Sequence, residues 1–471
     1  MRISKFAVLS RPAGATGSLY VYSGMSGAVV RVSDDVASAL ECNDVGRLSE
    51  ADKDQLAEVY AVVPDDLDEL SILKQRYETG RHDRSHLGMT VITSLGCNFD
   101  CPYCYESKRP DLLKTEVSQA LRDLVRSRSE SLRSLQVSWL GGEPLMAYRQ
   151  LLTLSADLQQ IAQNAGAVYF SNVTTNGYLL DRAKAIALRE VGIAFAQVCI
   201  DGPPDVHDRM RPLASGRGTF DRIVRNIEEV ADVLDITVRV NVDHENIGRV
   251  EELFELLGAH GLAGRVTIYA GQLVKVDDEA PVPSPSAHYS PSCFTGSEFA
   301  AVEAEFVRKA TEFGFNRPSL PGPILTPCTA VREDEFVIGS SGELYKCWEN
   351  VGNEKCTVGT IFDPESAETS ERLVGWTEYS PFSDDECRKC IALPSCMGGC
   401  LHHLKDENLR HSRCSTFRHN HREQIATFVD QMSGSSARTA FAHKPATTDD
   451  PQLVDGSNRR LLPIVSTRSC G

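Results

Sequence analysis

Residues from about 88 to 315 alternate between two patterns of apolar and polar positions. Six short runs are rich in apolar and β-branched residues: GMTVITSL, LQVSWLGG, VYFSNVTTNG, FAQVCIDG, DITVRVNVD and RVTIYAG. The stretches between them, EVSQALRDLVRSRSESL and TFDRIVRNIEEVADVL among them, repeat their apolar residues every three or four positions, as one face of a helix does. Strands alternating with helices predict an α/β fold with a parallel sheet and crossover helices. Six β/α units are too few for a closed eight-fold barrel. A partial (β/α)6 barrel and an open doubly wound sheet both satisfy the pattern.

The flanks read differently. In residues 1–84, KFAVLS, LYVYSG and GAVVRVS are β-type runs with Gly and Ser between them. DDVASALE and SEADKDQLAEVY then read as helices, each opened by an N-cap residue. Strands followed by short helices predict a winged-helix-like unit. The core is expected over 85–315, closed by a helix at about 297–314 after the Pro- and Ser-rich stretch AGQLVKVDDEAPVPSPSAHYSPSCFTG. Residues 316–432 are dense in cysteine and poor in long periodic segments, as where metal centres replace part of a core. Residues 433–471 are polar and patternless and read as a flexible tail.

Composition narrows the function. With 471 residues, 41% hydrophobic and 24% charged, the chain is an ordinary globular one. Its net charge of −16 repels nucleic acid and anionic membranes, so neither is expected as a general partner. The start, MRISKFAVLSRPAGATG, does not read as a secretory signal, and no run reaches the ~18 apolar residues that span a bilayer. A cytoplasmic protein is expected. In that compartment fifteen cysteines point to metal or redox chemistry rather than disulfides. Ten of them fall into two spaced groups, while Cys42, Cys199, Cys293, Cys356 and Cys470 are scattered.

The first group is CNFDCPYCYE, which sets Cys97, Cys101 and Cys104 at C-x3-C-x2-C in the loop after the first apolar run. That is the end of a strand where such sheets place their chemistry. Three thiolates suit zinc or an iron–sulfur cluster. Structural zinc wants a fourth Cys or His, and the loop holds none. A [4Fe–4S] cluster on three cysteines leaves one iron open to a small molecule.

This spacing resembles the signature loop of the radical S-adenosylmethionine (radical SAM) enzymes. The resemblance implies a partial barrel of TIM type and a [4Fe–4S] cluster on Cys97, Cys101 and Cys104. The open iron would take the amino and carboxylate groups of SAM, whose cleavage gives a 5′-deoxyadenosyl radical. After the second run, SWLGGEP (Gly141, Gly142, Glu143, Pro144) resembles the family's segment for the methionine amino group. Glycines let backbone approach a ligand, and a carboxylate suits an ammonium. TTNGYLL, IDGPPDVHDRMRP and RVNVDHEN follow in the family's order, and Asn176, Asp201 and Asn241 are the implied SAM contacts. His207, Asp208 and Arg211 fit such a contact or a structural network equally well.

The second group runs Cys328, thirteen residues, Gly342, four residues, Cys347, then CRKCIALPSCMGGC (Cys387, Cys390, Cys396, Cys400) and Cys414. It resembles the SPASM extension of peptide- and protein-modifying radical SAM enzymes. The resemblance implies an outer auxiliary cluster on Cys387, Cys390, Cys396 and Cys414, and an inner one on Cys328, Cys347 and Cys400. Two departures stand out. Gly322 lies where sulfatase maturases carry an eighth cysteine, so Cys293, Cys356, a substrate or nothing completes the inner set. Trp348 then Glu349 follow Cys347, where those maturases place their aspartate base.

What the whole resemblance implies is a maturase that abstracts hydrogen from a ribosomally made precursor peptide, forming a crosslink or an oxidised side chain. A flavodoxin or ferredoxin would donate the electron. The N-terminal unit resembles the winged-helix units that bind a precursor's leader by pairing a strand onto a sheet edge. An enzyme acting on a folded protein or a small molecule is the alternative. A zinc-stapled binding protein is the non-enzymatic one.

Overall fold

The computed structural model describes residues 1–11, 17–106, 108–274, 291–317, 319–363, 371–407 and 409–434. The expected tail beyond residue 434, Cys470 and residues 275–290 of the Pro- and Ser-rich stretch lie outside them.

Strand β1 (Arg2–Ile3) is two residues long. The expected N-terminal runs form β2 (Ala7–Ser10), β3 (Leu19–Ser23) and β4 (Val29–Val32), an antiparallel sheet in that order. Strand β5 (Val62–Val63) pairs with β1. The helices Asp34–Glu41 and Glu50–Glu58 begin at Ser33 and Ser49, whose side chains accept from the N–H groups of Val36 and Asp52. Each N-cap satisfies a donor that the first turn leaves orphaned.

The six apolar runs are strands: β6 (His86–Ile92), β7 (Ser134–Leu140), β8 (Val168–Thr175), β9 (Ile193–Cys199), β10 (Asp235–Val242) and β11 (Val266–Gln272). All pair in parallel, each with its neighbour in sequence. A doubly wound sheet would reverse its order at a switch point. Over β6–β11 this sheet never does, so those six units wind in one direction, as a (β/α)6 partial barrel requires. Val91, Val137, Val173, Val198 and Val240 are fully buried along its centre. The parallel order carries all six C-terminal ends to one edge, where the candidate residues sit. The helix Gly296–Glu312 follows, opened by a reciprocal Thr295–Glu298 capping box.

The cysteine-dense region extends this sheet. Strand β12 (Phe336–Ile338) runs parallel beside β6, and β13 (Glu343–Tyr345) and β14 (Gly359–Thr360) continue antiparallel. One hydrophobic core includes Phe6 and Tyr77, Val137 and Val198, and Leu344 and Leu393, so all three regions share it. Among the described residues no helix is long and apolar enough to cross a membrane.

Candidate active site

The cysteine loop leaves β6 and is pinned on two sides. Asp100 N–H donates to the Pro212 carbonyl and Ala214 N–H to the Asn98 carbonyl, both at 2.9 Å. Lys108 Nζ donates to the Phe99 carbonyl at 2.7 Å and to Asp100 Oδ1 at 2.8 Å. Cys97 Sγ accepts from Phe99 N–H at 3.4 Å. The three thiols lie close enough that the charges of Cys97 and Cys101 both act on Cys104. Burial pushes the Cys97 thiol up to about 12, and it raises Cys101 and Cys104 too.

The GGEP segment lies directly on that loop. Gly142 N–H donates to the Ser94 carbonyl at 2.9 Å and Glu143 N–H to the Gly96 carbonyl at 3.0 Å. Gly141 has φ +134°, and a Cβ there would run into the Ser94 carbonyl. A Cβ on Gly142 would meet the Gly96 carbonyl oxygen at 2.5 Å. The glycines therefore let backbone pack on backbone, a role the expected ligand approach did not include. Glu143 is fully buried and accepts from Thr175 Oγ1 and Asn176 N–H at 2.7 Å and Leu145 N–H at 2.9 Å. It ties the end of β7 to the end of β8. Asn176 in turn donates to Asn98 Oδ1 at 2.7 Å, linking β8 to the cysteine loop.

Asp201 and Asn241 belong to a buried network with two residues that the motif reading did not place at the site. Tyr103 donates to Asp201 Oδ2 and accepts from Arg211. Asn241 Nδ2 donates to Asp201 Oδ1 at 3.0 Å and to Tyr103 Oη at 3.2 Å. Arg239 Nε donates to Asn241 Oδ1 at 2.7 Å. The structural reading holds for His207 and Asp208. His207 is fully buried, accepting from Asp201 N–H at 3.2 Å and meeting Thr219 Oγ1 at 3.1 Å. Asp208 Oδ1 accepts the N–H groups of Thr219 and Phe220 at 2.7 and 2.9 Å. Arg211 joins the network through Tyr103.

The inner set gathers at a cavity of about 70 Å³. Cys328, Cys347 and Cys400 line it with Arg239 of β10, Gln272 of β11, Trp348 and Trp376. Cys293 and Cys356 are not among its lining residues; Cys356 packs against the hydrophobic cluster that includes Tyr345, Trp348 and Val351. Glu349 is on the wall, with Oε2 at 3.3 Å from His402 Nε2 and 4.0 Å from His403 Nε2. Its histidine neighbours come from more than fifty residues away in the sequence. Lys346, next to Cys347, is buried against the Phe336 ring, and burial lowers its amine to about 8.

Cys387, Cys390, Cys396 and Cys414 form the third gathering: the charges of Cys396 and Cys414 act on both Cys387 and Cys390. Met397, Gly398 and Gly399 all take positive φ (48°, 99°, 75°). That left-handed turn carries the chain from the outer set at Cys396 to the inner set at Cys400. A Cβ on Gly399 would run into the Arg413 carbonyl, which accepts Cys400 N–H at 2.9 Å. Arg418 donates to Cys414 Sγ at 3.2 Å.

These residues fit iron–sulfur clusters. No described cysteine is in a disulfide, and the donors are thiols gathered in three sets. Among the described residues no three His, Cys, Asp or Glu close on a single metal ion. A cluster suits such wider sets, because its own sulfides span the gap between ligands. Burial penalises a bare thiolate, and iron removes that penalty by taking the proton's place.

Comparison with known proteins gives the same family. Residues 91–257 match the radical SAM superfamily. The PqqA peptide cyclase of Gluconobacter oxydans is 28% identical over 64% of this chain and 82% of its own. A cysteine-type anaerobic sulfatase-maturating enzyme of Clostridium perfringens is 23% identical over 65% of this chain and 86% of its own. The Fe-coproporphyrin III synthase of Methanosarcina barkeri matches over a shorter stretch, 27% identical over 34% of this chain and 38% of that protein. The fold is shared with anSMEcpe, solved with bound AdoMet and a peptide, at a TM-score of 0.56 and 17% identity over 74% of this chain and 98% of that one. With its sequential parallel sheet, its three-cysteine loop after the first strand of that sheet and these matches, residues 91–257 of the chain form a radical SAM domain.

Proposed function

We propose that this enzyme is a radical SAM/SPASM maturase of a ribosomally made precursor peptide. One observation carries the reading: Cys328, Cys347 and Cys400 line the same cavity as Arg239 of β10 and Gln272 of β11 in the radical SAM sheet. A substrate there meets both halves of the molecule at once. Cys97, Cys101 and Cys104 would hold the SAM-binding [4Fe–4S] cluster. Cys328, Cys347 and Cys400 would hold the inner auxiliary cluster, and Cys387, Cys390, Cys396 and Cys414 the outer one. When bound, the first cluster would supply the electron that cleaves SAM to the hydrogen-abstracting 5′-deoxyadenosyl radical, and the auxiliary clusters would accept the electron left over, hold substrate, or both.

The chain's own residues do the positioning. Glu143, Asn176 and Asn98 lock three loops at the sheet's C-terminal edge. The Tyr103–Asp201–Asn241 network fixes the wall of the same edge, and Trp348 and Trp376 give the cavity apolar surface for a side chain. Among the described residues, strands β2 and β4 each pair on one side only, leaving an edge on which a leader strand can be added. The similarity to a peptide cyclase supports a peptide substrate.

Anaerobic reconstitution should give about twelve irons per chain, falling to about eight in Cys97→Ala/Cys101→Ala/Cys104→Ala with 5′-deoxyadenosine formation abolished. An unchanged iron count would refute the assignment. Crosslinks from a precursor leader should fall within residues 1–84; crosslinks confined to the barrel would refute leader binding there.

A sulfatase-maturase-like activity is the second reading. What favours it is Glu349: although it stands one position beyond Trp348, its carboxylate lines the cavity beside His402. Formylglycine formation on a sulfatase-derived Cys or Ser peptide, with no mass change in the precursor, would select that reading.

A further inference from the structure

Arg239 of β10 is 8% exposed and lines the cavity of the inner cysteine set. Its Nε donates to Asn241 Oδ1 at 2.7 Å. The two Nη groups have no acceptor among the described residues, and neither is sealed from solvent. No described carboxylate forms an ion pair with the guanidinium. The groups whose charges act on it most are Tyr269, Cys199, Tyr105 and Tyr103, three phenols and a thiol. The nearby acids are engaged elsewhere. Glu349, on the cavity wall, has His402 Nε2 at 3.3 Å, and Asp201 accepts from Tyr103 and Asn241. Lys346, a second cation on that wall, donates its Nζ protons to the carbonyls of Arg332 and Glu335.

The neighbouring strand makes room for this side chain. Gly271 of β11 pairs with Asn241, and a Cβ there would stand 2.4 Å from Arg239 Nε and 2.8 Å from its Cζ. The glycine leaves the space that the guanidinium fills. A guanidinium cannot shed a proton to relieve its burial, and a buried cation without a partner is costly. An anion entering the cavity removes that cost, and the planar fork of N–H donors matches a carboxylate. An unmodified peptide carries anions of that one kind at neutral pH, on Asp and Glu side chains and at its C-terminus.

We propose that Arg239 binds a carboxylate of the substrate peptide, so that the segment entering this cavity carries an acidic group. The assignment rests on the reading of the chain as a peptide maturase. Arg239 is then a specificity-determining residue: its fork fixes the acidic group on the β10 wall while the same segment faces the inner cysteine set.

The test uses anaerobically reconstituted holoenzyme and three small probes. Propionate stands for an acidic side chain, N-acetylglycinate for a C-terminus, and propionamide is the neutral isostere of propionate. Binding is read from the saturable broadening of the probe's proton NMR lines, with iron counted and SAM affinity dialysed on every sample. Wild type binds at least one carboxylate and discriminates against propionamide; the better carboxylate identifies the source of the group. Arg239→Gln binds that carboxylate roughly ten- to a hundredfold more weakly, the loss of a charge-assisted hydrogen bond, while iron content and SAM affinity hold. If Arg239→Gln sheds iron, Arg239→Lys is measured instead. An ammonium keeps the charge without the fork, so the carboxylate binds severalfold more weakly and SAM as before. The proposal fails if neither carboxylate binds, if propionamide binds as well as propionate, or if the variant binds the carboxylate like wild type. A parallel loss of SAM affinity also sinks it, because Arg239 would then serve the SAM site. Carboxylate binding that depends on Arg239 in an enzyme that modifies no precursor peptide would uphold the anion site and refute the maturase reading, so the two failures are distinct.

Discussion

At the scale of single residues, the GGEP glycines show how a motif can be found for one reason and needed for another. They were expected to clear space for a ligand. The structure uses them to seat the end of β7 on the backbone of Ser94 and Gly96. Gly142→Ala should therefore destabilise even the metal-free protein, by about 1–3 kcal/mol as overpacking does, read from its urea midpoint. Gly258, inside the helix Val250–Ala259 with nothing within 4 Å of its Cβ position, is the control. Gly258→Ala should stabilise by roughly 0.5–1 kcal/mol. If Gly142→Ala left the midpoint unmoved and weakened only SAM binding, the glycine would serve the ligand alone. The same scale explains why Tyr103, His402 and His403 were not read as site residues. A tyrosine or histidine has no meaning by itself; Tyr103 acquires one from Asp201 and Asn241, and His402 from Glu349.

At the scale of elements, six strands and most of the named helices were legible because each carries its own signal: an apolar run closed by Gly or Asn, or a capped periodic segment. Ser33, Ser49 and the Thr295–Glu298 box mark helix starts within a residue of those expected. The extension β12–β14 was not legible. Its strands are two or three residues long, too short for a period, and β12 owes its place to β6, far away in sequence. Yet this joint brings two cysteine sets together, since β6 leads into the signature loop and β13 leads to Cys347. Ile338, 1% exposed, is paired with the fully buried Val91 of β6. Ile338→Ala should cost about 2–5 kcal/mol of unfolding free energy, measured by denaturant titration. A loss under about 0.5 kcal/mol, the size of an ordinary surface change, would mean β12 merely rests against the sheet.

At the scale of the whole molecule, residues 1–84 are bound into the rest rather than appended to it. Tyr22 Oη donates to the Pro321 carbonyl at 2.7 Å, and its ring meets Phe417 edge-on at 5.4 Å. From the helix Glu69–His82, Tyr77 Oη donates to the Tyr379 carbonyl at 2.9 Å and Arg81 to that of Thr377. Arg332 reaches back to the carbonyls of Gly80, of Asp83 at 2.7 Å and of His86 at 3.1 Å. These bonds surround the cysteine-dense region, and Phe6, Met25, Leu73 and Tyr77 share its core. A unit whose sole task was to hold a leader would need only a small polar interface with its neighbour, and its removal would spare SAM cleavage. Here removal strips apolar cover from the core and leaves buried carbonyls without donors, each a cost of about 1–3 kcal/mol. A chain beginning at residue 85 should therefore fail to yield soluble protein that retains the full iron complement. The intact chain should unfold with β2–β4 and the cysteine-dense region losing amide protection at the same denaturant concentration in hydrogen exchange. Separate transitions, or a truncated chain that still cleaves SAM at the wild-type rate, would show that leader recognition is detachable. Coincident loss would mean that whatever docks on the edge of β2 or β4 is sensed by the same cooperative structure that holds the cavity.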